Sequence, residues 1–455
     1  MTHPDWAQKH KRKNTEIRVI RGNYYLYGHT SKWCPIKKRT KKVTTGYIGS
    51  ISQEHGLVLK GGSRKGKLSN GVSRVKEDAF TSSFKDIADP RSSKNQLHSI
   101  HDIMFIALAS IICGAEGWKD MENYGKLKIN MLQKFCLLKN GIPTKDTFRR
   151  FFNSLNPDKF KEIFRKWSDN ILPIQTDQIA IDGKASRRTH DEDIQMLHTV
   201  SAYSTDSNMI LAQDKVSEKS NEITAIPKLL NFLDIKDVVI TIDAMGCQYK
   251  IADLITDNEG DYIFSLKGNQ GNLSEYVESY FQNNLQNHAS QNHTSFTKYN
   301  KGHGRIETRE CIVSTDVVKL HELNPKWKTI KSIIQINSKR EFSPNSKEGK
   351  KHLETNETKY YVSSLKNKEA EQILKYIRDH WKIENSLHWV LDMTFNEDQS
   401  RIRKKNAAEI MTILRHIAIN QIRLHKPQKD SLRSYRKMCG WSDDFIVRTI
   451  SKSCQ

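Results

Sequence analysis

Two short apolar runs, each closed by an aspartate, restrict what this chain can fold into. In QIAIDGK (178–184) and VVITIDAMG (238–246), apolar residues follow one another without the alternation of a half-exposed strand. Such runs fit strands buried on both faces, so helices must cover both sides of the sheet that holds them. Between them, LHTVSAYS and MILAQDKV read as an antiparallel pair around a turn at Asp206-Ser207-Asn208, and ITAIPKLLNFL reads as a helix. A helix from Gln248 to Thr256 and a strand in DYIFSLKG follow. The order strand, strand, strand, helix, strand, helix, strand predicts an α/β fold, a mixed sheet flanked by helices. Functional groups in such sheets gather at strand ends, which singles out Asp182 and Asp243.

A third acid stands in HWKIENSLHWVLDMTFNEDQSR (380–401). At four-residue spacing His380, Glu384, His388 and Asp392 share one side of a predicted helix, beside Trp381, Leu387, Leu391 and Phe395. Ionisable groups bordered by bulky apolar residues predict a partly buried acidic site that needs a cation. Asp182, Asp243 and Glu384 together offer only oxygen donors, which select Mg²⁺, or Mn²⁺ in its place, over zinc. His380 and His388 are eight residues apart, too far for a helical zinc pair, and read as neighbours or DNA contacts. Two Mg²⁺ ions about 4 Å apart suit phosphoryl transfer.

Charge indicates the substrate. The chain of 455 residues carries a net charge of +22, which calls for a polyanion, nucleic acid before membrane. Residues 1–75 hold seventeen Lys/Arg against three Asp/Glu. They are expected to form a basic β module (strands within 17–60) and a Gly/Ser/Lys linker (60–71). Residues 76–170 read as a helical domain, with a buried helix from Ile103 and a helix capped by Thr144. The catalytic domain is expected over 171–425, with a β-rich insertion at about 286–356, followed by a basic tail, 426–455. Seven scattered cysteines without a CxxC pair imply neither disulfide framework nor zinc ribbon. A cytoplasmic location and no membrane association are expected.

Basic residues near the acids (Lys184, Arg187, Arg188, Lys382, Arg401 and Arg403) would draw in a phosphodiester. Lys267, Asn269 and Gln270 follow a strand next to the site, to position substrate or to cap the next helix. His303, Arg305, Glu307 and Arg309 alternate along a strand, as a DNA contact or an exposed hairpin face.

IAIDGKASRR (179–188), VVITIDAMGCQ (238–248), DYIFSLKGNQ (261–270), KGHGRIETRE (301–310) and the 380–401 segment resemble bacterial insertion-sequence transposases of the H-repeat-associated group. The likeness runs from about 85 to 425. It implies a ribonuclease H-like catalytic domain in which Asp182, Asp243 and Glu384 are the DDE triad. It also implies two Mg²⁺ ions, double-stranded DNA (element ends and target) as partner, and at least a dimer on DNA. The activity implied is strand cleavage followed by 3′-hydroxyl transfer. The alternatives are an inactive transposase-derived DNA-binding protein and a nuclease that does not join. A broader group of relatives carries Tyr, Arg and Lys at positions occupied here by Ile377, His380 and Leu391. That signature holds DNA during hairpin formation, so a hairpin intermediate does not carry over to this chain.

Overall fold

The computed structural model describes residues 3–20, 23–34, 39–53, 56–59, 87–92, 96–171, 176–190, 195–217, 221–284, 293–302, 304–344, 353–366 and 369–451. They fall into two compact units, one within 1–76 and one within 77–451. The linker expected at 60–71 lies outside the described residues.

The first unit is a four-stranded antiparallel sheet: β1 (Thr15–Ile20), β2 (Asn23–Cys34), β3 (Arg39–Ser52) and β4 (Gly56–Leu59), in that order. Its core is small: Ala7, Ile17, Leu26 and Ile51, with Trp6 and Tyr24, edge to face with each other, packed against it.

The second unit is built on nine strands in the order β10-β11-β12-β13-β9-β8-β5-β6-β7. The five at one end are β5 (Gln178–Ser186), β6 (Leu197–Ser204), β7 (Met209–Lys215), β8 (Val239–Ile242) and β9 (Asp261–Leu266). β5, β6 and β7 pair antiparallel, while β8 pairs parallel to both β5 and β9. The apolar runs account for their placement. Ile179 and Ile181 of β5 join one core while Ala180 joins another, so successive side chains enter opposite helical layers. α5 (Glu222–Asn231), α6 (Tyr249–Asp257) and α7 (Gly271–Asn284) pack on the Ile179 side.

The expected insertion does not stand apart from this sheet. β10 (His293–Gly302), β11 (Arg305–Ser314), β12 (Ser332–Phe342) and β13 (Glu354–Ser363) form an antiparallel meander. β13 then pairs with β9, extending the one sheet.

The helical segment folds with the distal part of the chain. α1 (Ile100–Cys113) starts at Ser99, whose Oγ accepts the Asp102 N–H, and stops at Gly114 in the left-handed region, φ 119°. α2 (Trp118–Leu127), α3 (Lys145–Ser154) and α4 (Pro157–Ile171) follow. Thr144 caps α3 as expected, its Oγ1 accepting the Thr147 N–H at 3.3 Å. These helices share a core with α10 (Ala407–His425). Residues 426–455 were expected to be a basic tail. Instead α11 (Leu432–Trp441) and α12 (Asp443–Ser451) lend Leu432, Tyr435, Cys439, Ile446 and Ile450 to that core. Five apolar side chains leaving water outweigh the local basic composition.

Among the described residues, Cys113, Cys136, Cys247, Cys311 and Cys439 are free thiols. No single helix among the described residues is long and apolar enough to cross a membrane.

Candidate active site

The parallel register Ile181↔Ile242 makes Asp182 and Asp243 the next residues on neighbouring strands, whose spacing is about 4.8 Å. Asp182 does not end its strand, as the sequence predicted. β5 runs on to Ser186 paired with β6, and only its pairing to β8 stops there. Asp182 Oδ1 accepts the Gly183 N–H at 2.9 Å. Asp243 leaves β8 into a turn, where its Oδ1 accepts the N–H groups of Met245 (3.1 Å) and Gly246 (3.3 Å). Gly246 allows this closure, since a Cβ there would meet Ile242 Cγ2 at 2.3 Å.

Glu384 lies on the helical arm that follows β13. α8 (Ala370–His380) passes into a π-helical turn, Ile383–His388, and then into α9 (Trp389–Phe395). The predicted arm was one regular helix. The wider turn keeps Ile383 and Leu387 fully buried while Glu384 is exposed. Such turns cost regular hydrogen bonding and recur at functional sites.

Burial raises the Asp182 carboxyl to about 8, and the charges of Asp243, Glu222 and Glu384 push in the same direction. Burial likewise raises Asp243, with Glu222 again contributing. Four carboxylates are therefore electrostatically coupled at this end of the sheet. Glu222, the first residue of α5, was not among the sequence candidates. Its only local signal is an acid at a helix start, where acids are common.

His380 and His388 lie beside the strands that carry the two aspartates. His380 Nδ1 is 3.1 Å from Thr241 Oγ1 on β8, and burial lowers its pKa to about 4. His388 Nδ1 stands 3.6 Å from Asp182 Oδ2, beyond hydrogen-bonding range. Burial lowers His388 to about 3, helped by the Lys184 charge, so the ring is neutral. Among the described residues its buried Nε2 has no hydrogen-bond partner.

Several expected DNA contacts are engaged elsewhere. Lys184 is 8% exposed and sits among Asp392 (2.7 Å), Asp398 (3.3 Å) and Glu397 (3.9 Å), joining the strand of Asp182 to α9 and the turn after it. These acids hold its ammonium within the protein. Asn269 Nδ2 donates to Ala244 O at 2.6 Å and Gln270 Nε2 to Cys247 O at 2.8 Å, so both brace the Asp243 turn. Exposed Lys267 lowers the Asp243 pKa by its charge. Glu307 is 8% exposed, and Arg305 (2.8 Å), Arg340 (3.6 Å) and Arg309 all pair with it, which is an ion-pair cluster and not an open hairpin face. His303 lies outside the described residues.

Arg187 and Arg188 are exposed, Arg187 pairing with Asp398 at 3.3 Å. Arg401 lines a pocket of about 510 Å³ with Arg149, Arg403 and Lys404, opposite Glu116 and Asp120.

The donor set suits a hard divalent cation: carboxylates alone, with neutral imidazoles behind them and a buried acid whose charge is disfavoured. Asp182, Asp243 and Glu384 are not as tightly gathered as His101, Asp102 and Cys136, a trio whose ligand atoms all lie within 4.8 Å of one another. In that trio Asp102 accepts the N–H of Leu137 at 3.2 Å, and burial keeps the Cys136 thiol protonated.

Residues 173–421 match the family described as "Transposase DDE domain", and residues 81–168 match "DDE_Tnp_1-associated". An H repeat-associated putative transposase of Escherichia coli K12, YhhI, is 39% identical over 370 residues, 81% of this chain and 96% of that protein. The putative transposase YncI of Escherichia coli O157:H7 is 38% identical over 371 residues, 81% and 93% of the two chains. A K12 protein named inactive transposase YbfQ is 36% identical over 62 residues, 14% of this chain and 74% of its own length. A solved piggyBac transposase chain overlays with a TM-score of 0.41 at 9% identity, covering 82% of this chain and 78% of that one.

Proposed function

The chain belongs to the DDE transposase family, and from that membership we propose that it cuts DNA at element ends and joins the freed 3′-hydroxyls to target DNA. The observation that carries this reading is the side-by-side placement of Asp182 and Asp243, with the Glu384 charge acting on Asp182. The strand order β7-β6-β5-β8-β9, three antiparallel strands then two parallel additions, supports a ribonuclease H-like catalytic domain.

Asp182, Asp243 and Glu384 would hold the two Mg²⁺ ions. When bound, the ions would neutralise charge on the scissile phosphate and make water, then a 3′-hydroxyl, a competent nucleophile. The protein's part is positional. β5 and β8 fix the two aspartates in register, and the backbone N–H groups of Met245 and Gly246 aim the Asp243 carboxylate. The π turn presents Glu384 from a helix anchored in the core. Both steps are in-line displacements at phosphorus, so one site serves both. Basic surface at Arg187, Arg188 and Arg401 would guide the DNA backbone, as would the N-terminal module. Joining two ends calls for at least a dimer on DNA.

The test uses the full chain with Mg²⁺, duplexes carrying the inverted repeats that flank its gene, and a target plasmid. Nicks at the repeat ends and joined products are expected. Nicking without joined products assigns a nuclease. Binding without nicking in Mg²⁺ or Mn²⁺ assigns an inactive DNA-binding protein, and either outcome overturns the proposal.

A further inference from the structure

We infer that Glu222 is a fourth carboxylate of this cation site, seated against Gly183 and held there by His198; the inference rests on the triad reading above. Glu222 opens α5 and is 8% exposed. A Cβ on Gly183 would stand 2.0 Å from Glu222 Oε1 and 2.4 Å from the carboxyl carbon. The carboxylate therefore lies directly on the backbone of the residue after Asp182, in space that only a glycine leaves. From β6, His198 brings its Nε2 to 2.9 Å from Glu222 Oε1. Its strand position is opposite Ala185, two residues along β5 from Gly183.

A plain tie between α5 and β6 would not need this placement. A glutamine would accept the His198 N–H equally well and carry no charge. A buried anion beside two further carboxylates is costly unless something positive faces them. Gly183 follows Asp182 directly and lies two residues past the last β5–β8 pair, so the Glu222 carboxylate stands at the same end of the sheet as Asp182 and Asp243. His198, a third exposed, faces Glu222, while Asp182 and Asp243 take backbone N–H groups and the charge of exposed Lys267 acts on Asp243. A divalent cation reverses the sign of the interactions among the three carboxylates. The glycine has the same logic, since it weakens a strand interior in exchange for close approach of another group.

The experiment measures Mn²⁺ binding to the full chain by electron paramagnetic resonance, together with the Mg²⁺ dependence of nicking. Glu222→Gln is expected to weaken Mn²⁺ binding roughly 10–100-fold and to raise the half-saturating Mg²⁺ concentration similarly. Because glutamine keeps the His198 contact, melting should stay within about 3 °C of wild type. Gly183→Ala leaves Glu222 charged but displaces it, and is expected to weaken Mn²⁺ binding too. This second variant decides the matter should Glu222→Gln fail to fold. Wild-type Mn²⁺ affinity in either folded variant overturns the inference. Asp182→Asn runs in parallel: if it loses Mn²⁺ while the Glu222 variant does not, only the fourth carboxylate is lost. If Asp182→Asn also binds and nicks as wild type, the triad reading itself has failed.

Discussion

Asp182→Asn is expected to abolish nicking while leaving DNA binding nearly intact. A bound cation supplies several kcal/mol of charge stabilisation in phosphoryl transfer, which corresponds to a loss of about 10³-fold or more. The substitution keeps the shape and the strand register, so the effect isolates the charge. It should also stabilise the metal-free protein. Burial and three neighbouring acids raise Asp182 to about 8 in the folded chain, against about 3.9 unfolded. Between those values the folded state holds a proton that the unfolded state releases. Stability therefore falls as pH rises from about 4 to 8 and levels off above it. Melting curves of chelator-treated protein should show that slope, with Asp182→Asn flattening it and Mg²⁺ reducing it in the wild type. Wild-type nicking by Asp182→Asn rejects the catalytic assignment. An unchanged pH slope rejects the electrostatic account of the site.

Lys184→Met is expected to produce the largest loss of stability among the residues around the site. Lys184 is the buried cation among Asp392, Glu397 and Asp398, and Glu397 is itself 1% exposed and paired with Arg415 at 3.3 Å. Removing one partner strands buried charge, typically at about 3–5 kcal/mol. In a unit of this size that is a fall of roughly 4–6 °C in melting temperature. Adding Asp392→Asn should recover part of it, because the two residues interact and their effects do not add. Melting of Lys184→Met within about 2 °C of wild type would show that solvent, not Lys184, balances these acids.

The two strands carrying the aspartates were legible because an uninterrupted apolar run has few other uses in a mixed fold. The Thr144 cap was legible because it is decided within one turn of chain. Lys184 misled the sequence reading. A lysine two residues past an acid looks like a phosphate contact until Asp392 and Asp398, more than two hundred positions away, close on it. Asn269 and Gln270 misled it likewise, because their partners are carbonyls of the Asp243 turn. The C-terminal helices were hidden by composition. Their apolar residues are few, and their value depends on α1 and α10 offering a surface to cover.

By itself the sequence determined the kind of sheet and singled out three acids, from which the proposed hard-cation chemistry is read. Each of these follows from residue type and short-range pattern. Segment 380–401 also announced a row of ionisable groups on one helix face. Only the tertiary structure decided what that row becomes. The π turn separates exposed Glu384 from the buried core residues beside it, and His388 settles as a neutral ring near Asp182. Asp392 turns to Lys184, and Glu222 comes against Gly183 from another helix. These are long-range pairings whose energies come from burial and from charges brought close in a low dielectric, and a linear pattern contains neither quantity.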